Sequence, residues 1–230
     1  MFTKPQELPT IKALNKIDSK HRVVLFCGGM RGNALIRILA AHKESWWDSD
    51  LMNNGETSTD PLLHPENTSG FYALDSDKLK EWFATAHTGC GILDEAIFKQ
   101  LLKKRQNDSD KWWFTWTHPL NIDLASKSIQ SEHITVYASE KSKYRKYFTT
   151  SPVKNNFAIN VDISKLFSHD REKFYEEYIK IINHFGFTAR FTSVRNFVLQ
   201  LLDRESYISR FNKNPKFNWL IGEKIDKKYR

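Results

Sequence analysis

The clearest pattern in the chain is a short apolar run, a glycine-bearing turn and a longer apolar run. Residues 23–27 form the first run, which begins with two β-branched side chains, as a buried parallel strand does. The turn spans residues 28–33, and residues 34–41 then predict a helix that is apolar on most of its circumference. A strand, a glycine turn and a helix in this order allow backbone N–H groups and a helix N-terminus to bind a phosphate group.

Strand and helix patterns continue to alternate along the chain. Strand-forming residues predict further strands over 111–117, 131–138 and 156–161. Helical periodicity predicts helices over 75–85, 92–105, 171–185 and 194–204. Gly186 is expected to end the third of these helices, and Thr192 or Ser193 to cap the fourth. The interleaving indicates a single α/β domain over 1–230, with a mostly parallel sheet flanked by helices in three layers.

Two segments lack such periodicity. Residues 1–20 contain two prolines and many charges and are expected to be a lead-in segment. Residues 45–70 are rich in Asp, Asn, Gly and Pro. A loop of this length in a compact domain usually carries function or is mobile, so we expect a lid or substrate loop, or else a surface excursion.

The overall charge favours an anionic ligand without requiring one. The 230 residues carry a formal net charge of +8, but the Lys and Arg residues are scattered, so a solvated basic surface explains the charge equally well. The two cysteines make no disulfide framework, and no Cys/His cluster has metal-site spacing. No apolar run approaches the roughly 18 residues that span a bilayer. We therefore expect a cytoplasmic protein with no metal and no membrane association.

Three chemically interesting groups follow predicted strands: residues 28–33, residues 117–118 and residues 139–145. Ligands of parallel sheets bind at the carboxyl ends of strands, so these groups form the candidate site. The turn lacks the Lys and the hydroxyl residue of the GxxxxGK[ST] loop, and it does not fit the GxGxxG pattern. These differences exclude an ordinary nucleotide hydrolase and a dinucleotide-binding protein. Arg31 could still bind a phosphate at the helix start. The other possibility is a tight connection with Asn33 as the N-cap.

The turn and its helix resemble the 5′-phosphosulfate-binding loop of the P-loop sulfotransferases. In that family a strand is followed by Lys or Arg, then small and hydroxyl residues, then an apolar helix. Arg31 matches the cation, Gly32 and Asn33 match the small residues, and Ala34 stands where the family has Thr or Ser. The resemblance implies a P-loop nucleotide-hydrolase-like fold and a sulfotransferase that uses 3′-phosphoadenosine 5′-phosphosulfate (PAPS). It assigns the 5′-phosphosulfate to Gly28, Gly29, Met30, Arg31, Gly32, Asn33 and Ala34.

Two later segments match the family in the same order. Residues 116–120 resemble its Lys-Thr-His motif, with Trp116 in place of the Lys, which implies that His118 is the base for the acceptor and acts with Arg31 in catalysis. Taken alone, a histidine at a strand end before Pro119 is more commonly a hydrogen-bonded structural residue, and it is the position in family order that favours the catalytic role equally. Residues 136–145 resemble the strand whose following residues bind the 3′-phosphate, which implies roles for Ser139, Ser142 and Arg145, although the usual Arg-x-Pro is absent.

The resemblance implies a small-molecule or glycan acceptor, and the oligomeric state stays open. One alternative is a nucleotide-sugar glycosyltransferase, because the glycine-Asn turn is loosely similar to one that opens some fucosyltransferases. Another alternative is a non-catalytic phosphate- or nucleotide-binding module of the same fold. The basic run 141–146 could contact nucleic acid, but no helix-turn-helix, RNP or zinc-finger pattern accompanies it, so we do not expect a nucleic-acid partner.

Overall fold

The computed structural model describes residues 19–27, 30–47, 60–62, 103–117, 122–127, 129–140 and 149–211, except for the side chains of 33 and 204–211. The predicted helix over 75–85 lies outside these residues. So does most of the helix predicted over 92–105, of which residues 103 and 104 are described and helical. Most of the lead-in segment and of the predicted loop over 45–70 also lies outside the described residues.

Four parallel strands form one sheet. They are β1 (His21–Leu25), β2 (Trp113–Thr117), β3 (His133–Tyr137) and β4 (Ala158–Asp162), in the spatial order β2-β1-β3-β4. Each overlaps a predicted strand, so the prediction of an α/β chain with a parallel sheet is confirmed. β1 begins two residues before the apolar run because His21 and Arg22 pair with the first two residues of β2.

Five α-helices accompany these strands in the described residues. They are α1 (Gly32–Ala40), α2 (Ile122–Lys127), α3 (Ile163–Leu166), α4 (Arg171–Phe185) and α5 (Phe191–Phe211), with a 3-10 helix at Gln106–Asp108. None of the helices that the structure describes is both long and apolar enough to cross a membrane. α2 and α3 were not predicted, because four to six residues are too few to show a helical period.

The ends of α4 and α5 show where local signals succeed and where they fail. The Asp170 carboxylate accepts hydrogen bonds from two N–H groups of the first turn of α4, and Gly186 ends that helix in the left-handed conformation, as expected. The prediction that Thr192 or Ser193 caps the next helix is wrong. The Val194 N–H already donates to the Arg190 carbonyl at 2.9 Å, so α5 begins at Phe191 and both hydroxyl residues lie inside its first turn.

The core lies on the central strands and the apolar faces of the longer helices. In β1 and β3, consecutive side chains are buried, so both faces of these strands are covered. α1 buries Leu35 and Leu39 completely, and α4 buries Phe174 and Tyr178. Each such side chain contributes about 1.5–3 kcal/mol through removal of apolar surface from water. The Tyr178 hydroxyl also accepts the Arg190 N–H at 2.9 Å, which joins α4 to the start of α5.

Three histidines are buried in this framework. His21 Nε2 lies 2.8 Å from the Thr115 hydroxyl, and His133 accepts from the Ser126 hydroxyl at 2.7 Å while its Nδ1 donates to the Ser131 carbonyl. Burial lowers the pKa of His21 to about 3, helped by nearby arginine charges, and burial also lowers the pKa values of His42 and His133. All three side chains are therefore neutral near pH 7.

We expect the free energy of unfolding to fall as the pH is lowered below about 6.5, the unfolded-state pKa of histidine. Below that pH the histidines of the unfolded chain bind protons, whereas the buried imidazoles of the folded chain stay neutral. Each histidine therefore lowers the free energy of unfolding by about 1.4 kcal/mol per pH unit until its folded-state pKa is reached. For His21 this window extends down to about pH 3. Urea unfolding between pH 7 and pH 5 measures the slope.

The control compares two substitutions. H21Q removes one buried imidazole and should flatten the pH dependence, and H169Q, which replaces an exposed histidine, is the matched control. A free energy of unfolding that stays constant or rises as the pH falls from 7 to 5 would contradict the prediction.

Candidate functional site

The carboxyl ends of three neighbouring strands meet at one edge of the sheet. Leu25, the last residue of β1, lies opposite Thr117 at the end of β2 and is paired with Thr135 of β3. The three groups predicted after strands therefore leave the sheet side by side. Gly28, Gly29, His118, Ser142 and Arg145 lie outside the described residues, so for them the structure gives only the strand ends from which they follow.

The connections from β1 and β3 lead in opposite directions. β1 is followed along the chain by β2 on one side, and β3 is followed by β4 on the other. In an open parallel sheet, a crevice forms between two neighbouring strands whose connections diverge in this way, and ligands commonly bind there. In this sheet such a crevice would lie between the turn after β1 and the segment that begins at Ala138 and Ser139.

The turn after β1 closes through a backbone hydrogen bond. The Met30 N–H donates to the Cys27 carbonyl at 3.1 Å, and the Met30 side chain is completely buried. The Met30 N–H is therefore already committed within the turn, and its side chain belongs to the core. Met30 is therefore predicted to bind phosphate but has a structural role in the turn.

Arg31 begins α1 in an unusual backbone conformation. Its φ of 53° and ψ of 23° lie in the left-handed region, which costs about 1–2 kcal/mol for a residue with a Cβ atom. Arg31 is the N-cap, so the alternative in which Asn33 fills this position is wrong. Backbone strain of this kind concentrates at functional sites, where the surrounding structure maintains it.

The first turn of α1 begins with N–H groups that lie outside the helical hydrogen-bond ladder. The first intrahelical bond is donated by Leu35 to the Arg31 carbonyl at 3.0 Å, so the N–H groups of Gly32, Asn33 and Ala34 precede the helical ladder. No described side chain caps this N-terminus, and its first turn contains no acidic residue. The positive end of the helix dipole is therefore not neutralised by the helix itself.

The Arg31 side chain extends towards the residue that follows α3. Its Nη1 lies 3.5 Å from the Phe167 carbonyl oxygen, and the guanidinium carbon lies 5.4 Å from the centre of the Phe167 ring. At 3.5 Å this hydrogen bond is long for a charged donor. Because Phe167 comes after β4, this contact joins the turn after β1 to the segment after β4.

Ser139 is exposed, but its backbone N–H is hydrogen-bonded to the carboxylate of Asp162. The Ser139 N–H donates to Oδ1 of Asp162 at 3.3 Å, and the same oxygen accepts the Ser164 N–H at 2.9 Å and so caps α3. Among the described residues, Asp162 Oδ2 has no hydrogen-bond partner, although the side chain is completely buried. A phosphate beside Ser139 would therefore meet its hydroxyl, with a carboxylate behind it.

Two titratable groups near this edge are neutral. Burial, followed by the charges of Asp162 and Glu177, raises the pKa of Tyr137 to about 12. Burial also raises the pKa of the half-buried Cys27 thiol, against a hydrogen bond from the Thr149 backbone. Neither group supplies a charge or an activated nucleophile near pH 7.

Asp162 and Phe167 were not among the residues selected from the sequence. Asp162 could have been selected, because it comes directly after the fourth predicted strand, just as the selected polar groups come directly after the other predicted strands. Phe167 carried no local signal, since its contact with Arg31 spans 136 positions. Within the described residues, no group of three His, Cys, Asp or Glu side chains could hold a metal ion.

No family model, no curated protein and no solved structure matches this chain.

Gly32 is required by packing, and this gives a test of the turn. A Cβ atom at Gly32 would lie 2.2 Å from atoms of the Phe26 ring, which is itself buried directly after β1. We expect G32A to destabilise the protein by about 1–3 kcal/mol, because the overlap forces the ring or the helix to move. Thermal and urea unfolding measure this cost.

A double-mutant cycle identifies the cause. In an F26L background the cost of G32A should shrink, since a smaller and more flexible side chain occupies the ring position. G186A is the matched control: its φ of 67° is strained for alanine, but nothing lies within 4 Å of the added Cβ, so its cost should not depend on residue 26. Equal costs of G32A in both backgrounds would disprove the packing explanation.

Proposed function

We propose that this chain is a sulfotransferase-like protein that transfers a sulfuryl group from PAPS to a hydroxyl or amine of a small-molecule or glycan acceptor. One observation carries the proposal: Arg31 begins α1 in a left-handed conformation, with no capping side chain in the described structure, at the carboxyl edge between the ends of β2 and β3. The sequence resemblance supplies the identity of the nucleotide, and the geometry supports an anion at this place.

The proposal includes a three-layer, P-loop-like arrangement. α1 lies between β1 and β2 along the chain and contacts both strands, whereas α2 precedes β3 and contacts β1 and β3. The two crossovers run in opposite directions across the sheet. Since crossovers between parallel strands are right-handed in nearly all proteins, α1 and α2 would cover opposite faces. Burial of both faces of β1 and β3 supports this arrangement.

The 5′-phosphosulfate would lie against the first turn of α1. The N–H groups of Gly32, Asn33 and Ala34 would donate to its oxygens, and the helix dipole favours its charge. The Arg31 guanidinium would exchange its 3.5 Å contact with Phe167 for shorter charge-assisted bonds to the ligand. Gly28 and Gly29 would complete the loop, whereas Met30 would contribute through the shape of the turn.

The 3′-phosphate would lie beyond β3, as the resemblance implies. Ser139 would offer its hydroxyl, because its N–H is bonded to Asp162. The Asp162 carboxylate disfavours an anion at this place, so Arg145 and Ser142 would have to provide most of the binding energy. The adenosine would then span the crevice between β1 and β3.

In the reaction, PAPS supplies an activated sulfuryl group. His118, directly after β2, would accept the proton of the acceptor hydroxyl or amine. Arg31 and the first turn of α1 would stabilise the negative charge that develops on the departing phosphate. These roles place the base and the cation at the ends of adjacent strands, β2 and β1.

A non-catalytic nucleotide-binding module is the second candidate. Two observations favour it: Ala34 offers no hydroxyl to the phosphosulfate, and a buried carboxylate holds Ser139. Such a module would bind the nucleotide at the same edge without transferring its sulfuryl group.

Calorimetry with 3′-phosphoadenosine 5′-phosphate, the desulfated product, tests the binding step. We expect the chain to bind this nucleotide, and R31G to lose at least about tenfold in affinity, because charged hydrogen bonds are removed. Glycine suits the left-handed conformation at this position, so R31G should stay folded and isolate the loss of the guanidinium. R31K keeps the positive charge but cannot donate the two parallel hydrogen bonds of a guanidinium group, so it should bind with intermediate affinity.

R171A is the matched control, since Arg171 is an exposed arginine at the start of α4, and it should leave the affinity unchanged. Failure of the folded chain to bind the nucleotide, or an unchanged affinity of R31G, would rule out the proposed site. Binding without sulfuryl transfer to any hydroxyl or amine acceptor would favour the non-catalytic module.

A further inference from the structure

Two arginines from distant parts of the chain meet on one short segment. The segment consists of Phe167, Ser168 and His169 and lies between α3 and α4. Arg31 lies against its first residue, and Arg195 of α5 donates to the carbonyl oxygens of the other two. We propose that Arg195 is a positioning residue, which fixes this segment and thereby the Arg31 guanidinium at the carboxyl edge of the sheet. The inference rests on the proposed function, which assigns Arg31 to an anionic ligand.

The carbonyl groups of the segment precede the helical hydrogen-bond ladder of α4. The first bond of that ladder is donated by the Phe174 N–H to the Asp170 carbonyl at 3.2 Å. The carbonyls of Ser168 and His169 therefore have no partner within the helix. Nη1 and Nη2 of Arg195 each donate to one of them. A guanidinium presents its donors in a rigid planar fork, so two bonds to consecutive carbonyls fix their directions.

The Arg195 guanidinium is itself held in place. Its central carbon lies 5.0 Å from the centre of the Phe174 ring, and this ring is completely buried in the core. A cation over an aromatic face at such a distance is attracted to the ring. Phe174 belongs to α4 and Arg195 to α5, so the guanidinium connects the segment to both long helices.

The segment transmits this constraint to Arg31 through Phe167. The Phe167 carbonyl oxygen lies 3.5 Å from Nη1 of Arg31, and the centre of the Phe167 ring lies 5.4 Å from the guanidinium carbon. The Phe167 N–H donates to the Ile163 carbonyl at 2.9 Å, which fixes the residue from the side of α3. The bonds of Arg195 fix it from the side of α4. Displacement of the segment would therefore move the oxygen and the ring that orient Arg31.

The order of the Arg31 side chain affects how tightly an anion binds beside it. A ligand that immobilises a long side chain loses part of its binding energy to the entropy of that side chain, and a side chain that is already ordered loses less. Arg195 should therefore increase the affinity for the nucleotide through Arg31, without contacting the nucleotide itself.

A double-mutant cycle on nucleotide affinity tests the inference. Calorimetry with 3′-phosphoadenosine 5′-phosphate compares the unmodified full chain, R195A, R31G and the double variant R31G/R195A. We expect R195A to weaken binding about fivefold in the unmodified chain and by less than about twofold in R31G, which has no guanidinium left to position. R195K keeps the charge and donates from a single nitrogen, so it should show a smaller loss that also depends on Arg31. It replaces R195A if that variant does not fold.

R190A is the matched control. Arg190 also donates to a backbone carbonyl, that of Ala41, and its second terminal nitrogen lies 3.1 Å from the Asp60 carboxylate. Ala41 follows the last residue of α1, at the opposite end of this helix from Arg31. R190A therefore removes a comparable set of bonds far from the candidate site, and it should leave the nucleotide affinity unchanged.

A spectroscopic measurement tests the positioning of Arg31 without any ligand. Nε of Arg31 is buried, so its N–H should exchange slowly with water and give a signal in the ¹H–¹⁵N NMR spectrum of the full chain. The loss of this signal in R31G identifies it. R195A should shift the signal, whereas R190A should leave it in place.

Two results would overturn the inference. One is an Arg31 signal that does not move in R195A. The other is an equal loss of affinity on R195A substitution with and without Arg31, which would show that Arg195 acts through its charge or through its own contact with the nucleotide.

The inference and the proposed function fail separately. If the folded chain does not bind the nucleotide, the proposed function is wrong, and the NMR comparison alone decides whether Arg195 positions Arg31. If the nucleotide binds but R195A changes neither its affinity nor the Arg31 signal, the proposed function stands and the inference is wrong.

Discussion

The central position of β1 is the constraint on which the rest of the structure depends. β1 hydrogen-bonds to β2 on one side and to β3 on the other, with all three strands parallel. Parallel pairing brings the carboxyl ends of these strands to one edge, although they are separated by about a hundred positions in the chain. Both β1 and β3 are buried, and the buried histidines at the start of these strands, His21 and His133, are hydrogen-bonded to the hydroxyl groups of Thr115 and Ser126.

The turn after β1 shows how packing and a candidate binding function occupy the same few residues. Phe26 lies against Gly32 so closely that no side chain fits there, and this contact holds the first turn of α1 against the strand. Arg31 is then left in a left-handed conformation at the helix start. Glycine at position 32 is therefore explained by packing, whereas the left-handed arginine at position 31 is the residue on which the proposed function rests.

Electrostatics distinguish the two ends of the sheet. At the carboxyl edge, Arg31 and the first turn of α1 are positive, while Asp162 brings a buried carboxylate close to Ser139. An anion there would be held mainly from the side of β1. At the amino edge, Arg190 is paired with Asp60 and Lys111 with Asp108, so neighbouring carboxylates offset these cations.

The sequence by itself determined the order of strands and helices, the ends of α4, and the strand ends at which polar groups collect, because periodicity and capping are local properties. It misplaced the start of α5 and missed α2 and α3, where the local pattern is short or ambiguous. Only the tertiary structure decided that Met30 is committed to the core, that Arg31 reaches Phe167, and that Asp162 holds Ser139. The contacts of Arg31 and Ser139 join segments that follow or end different strands, so they could be found only once the pairing of the strands was known.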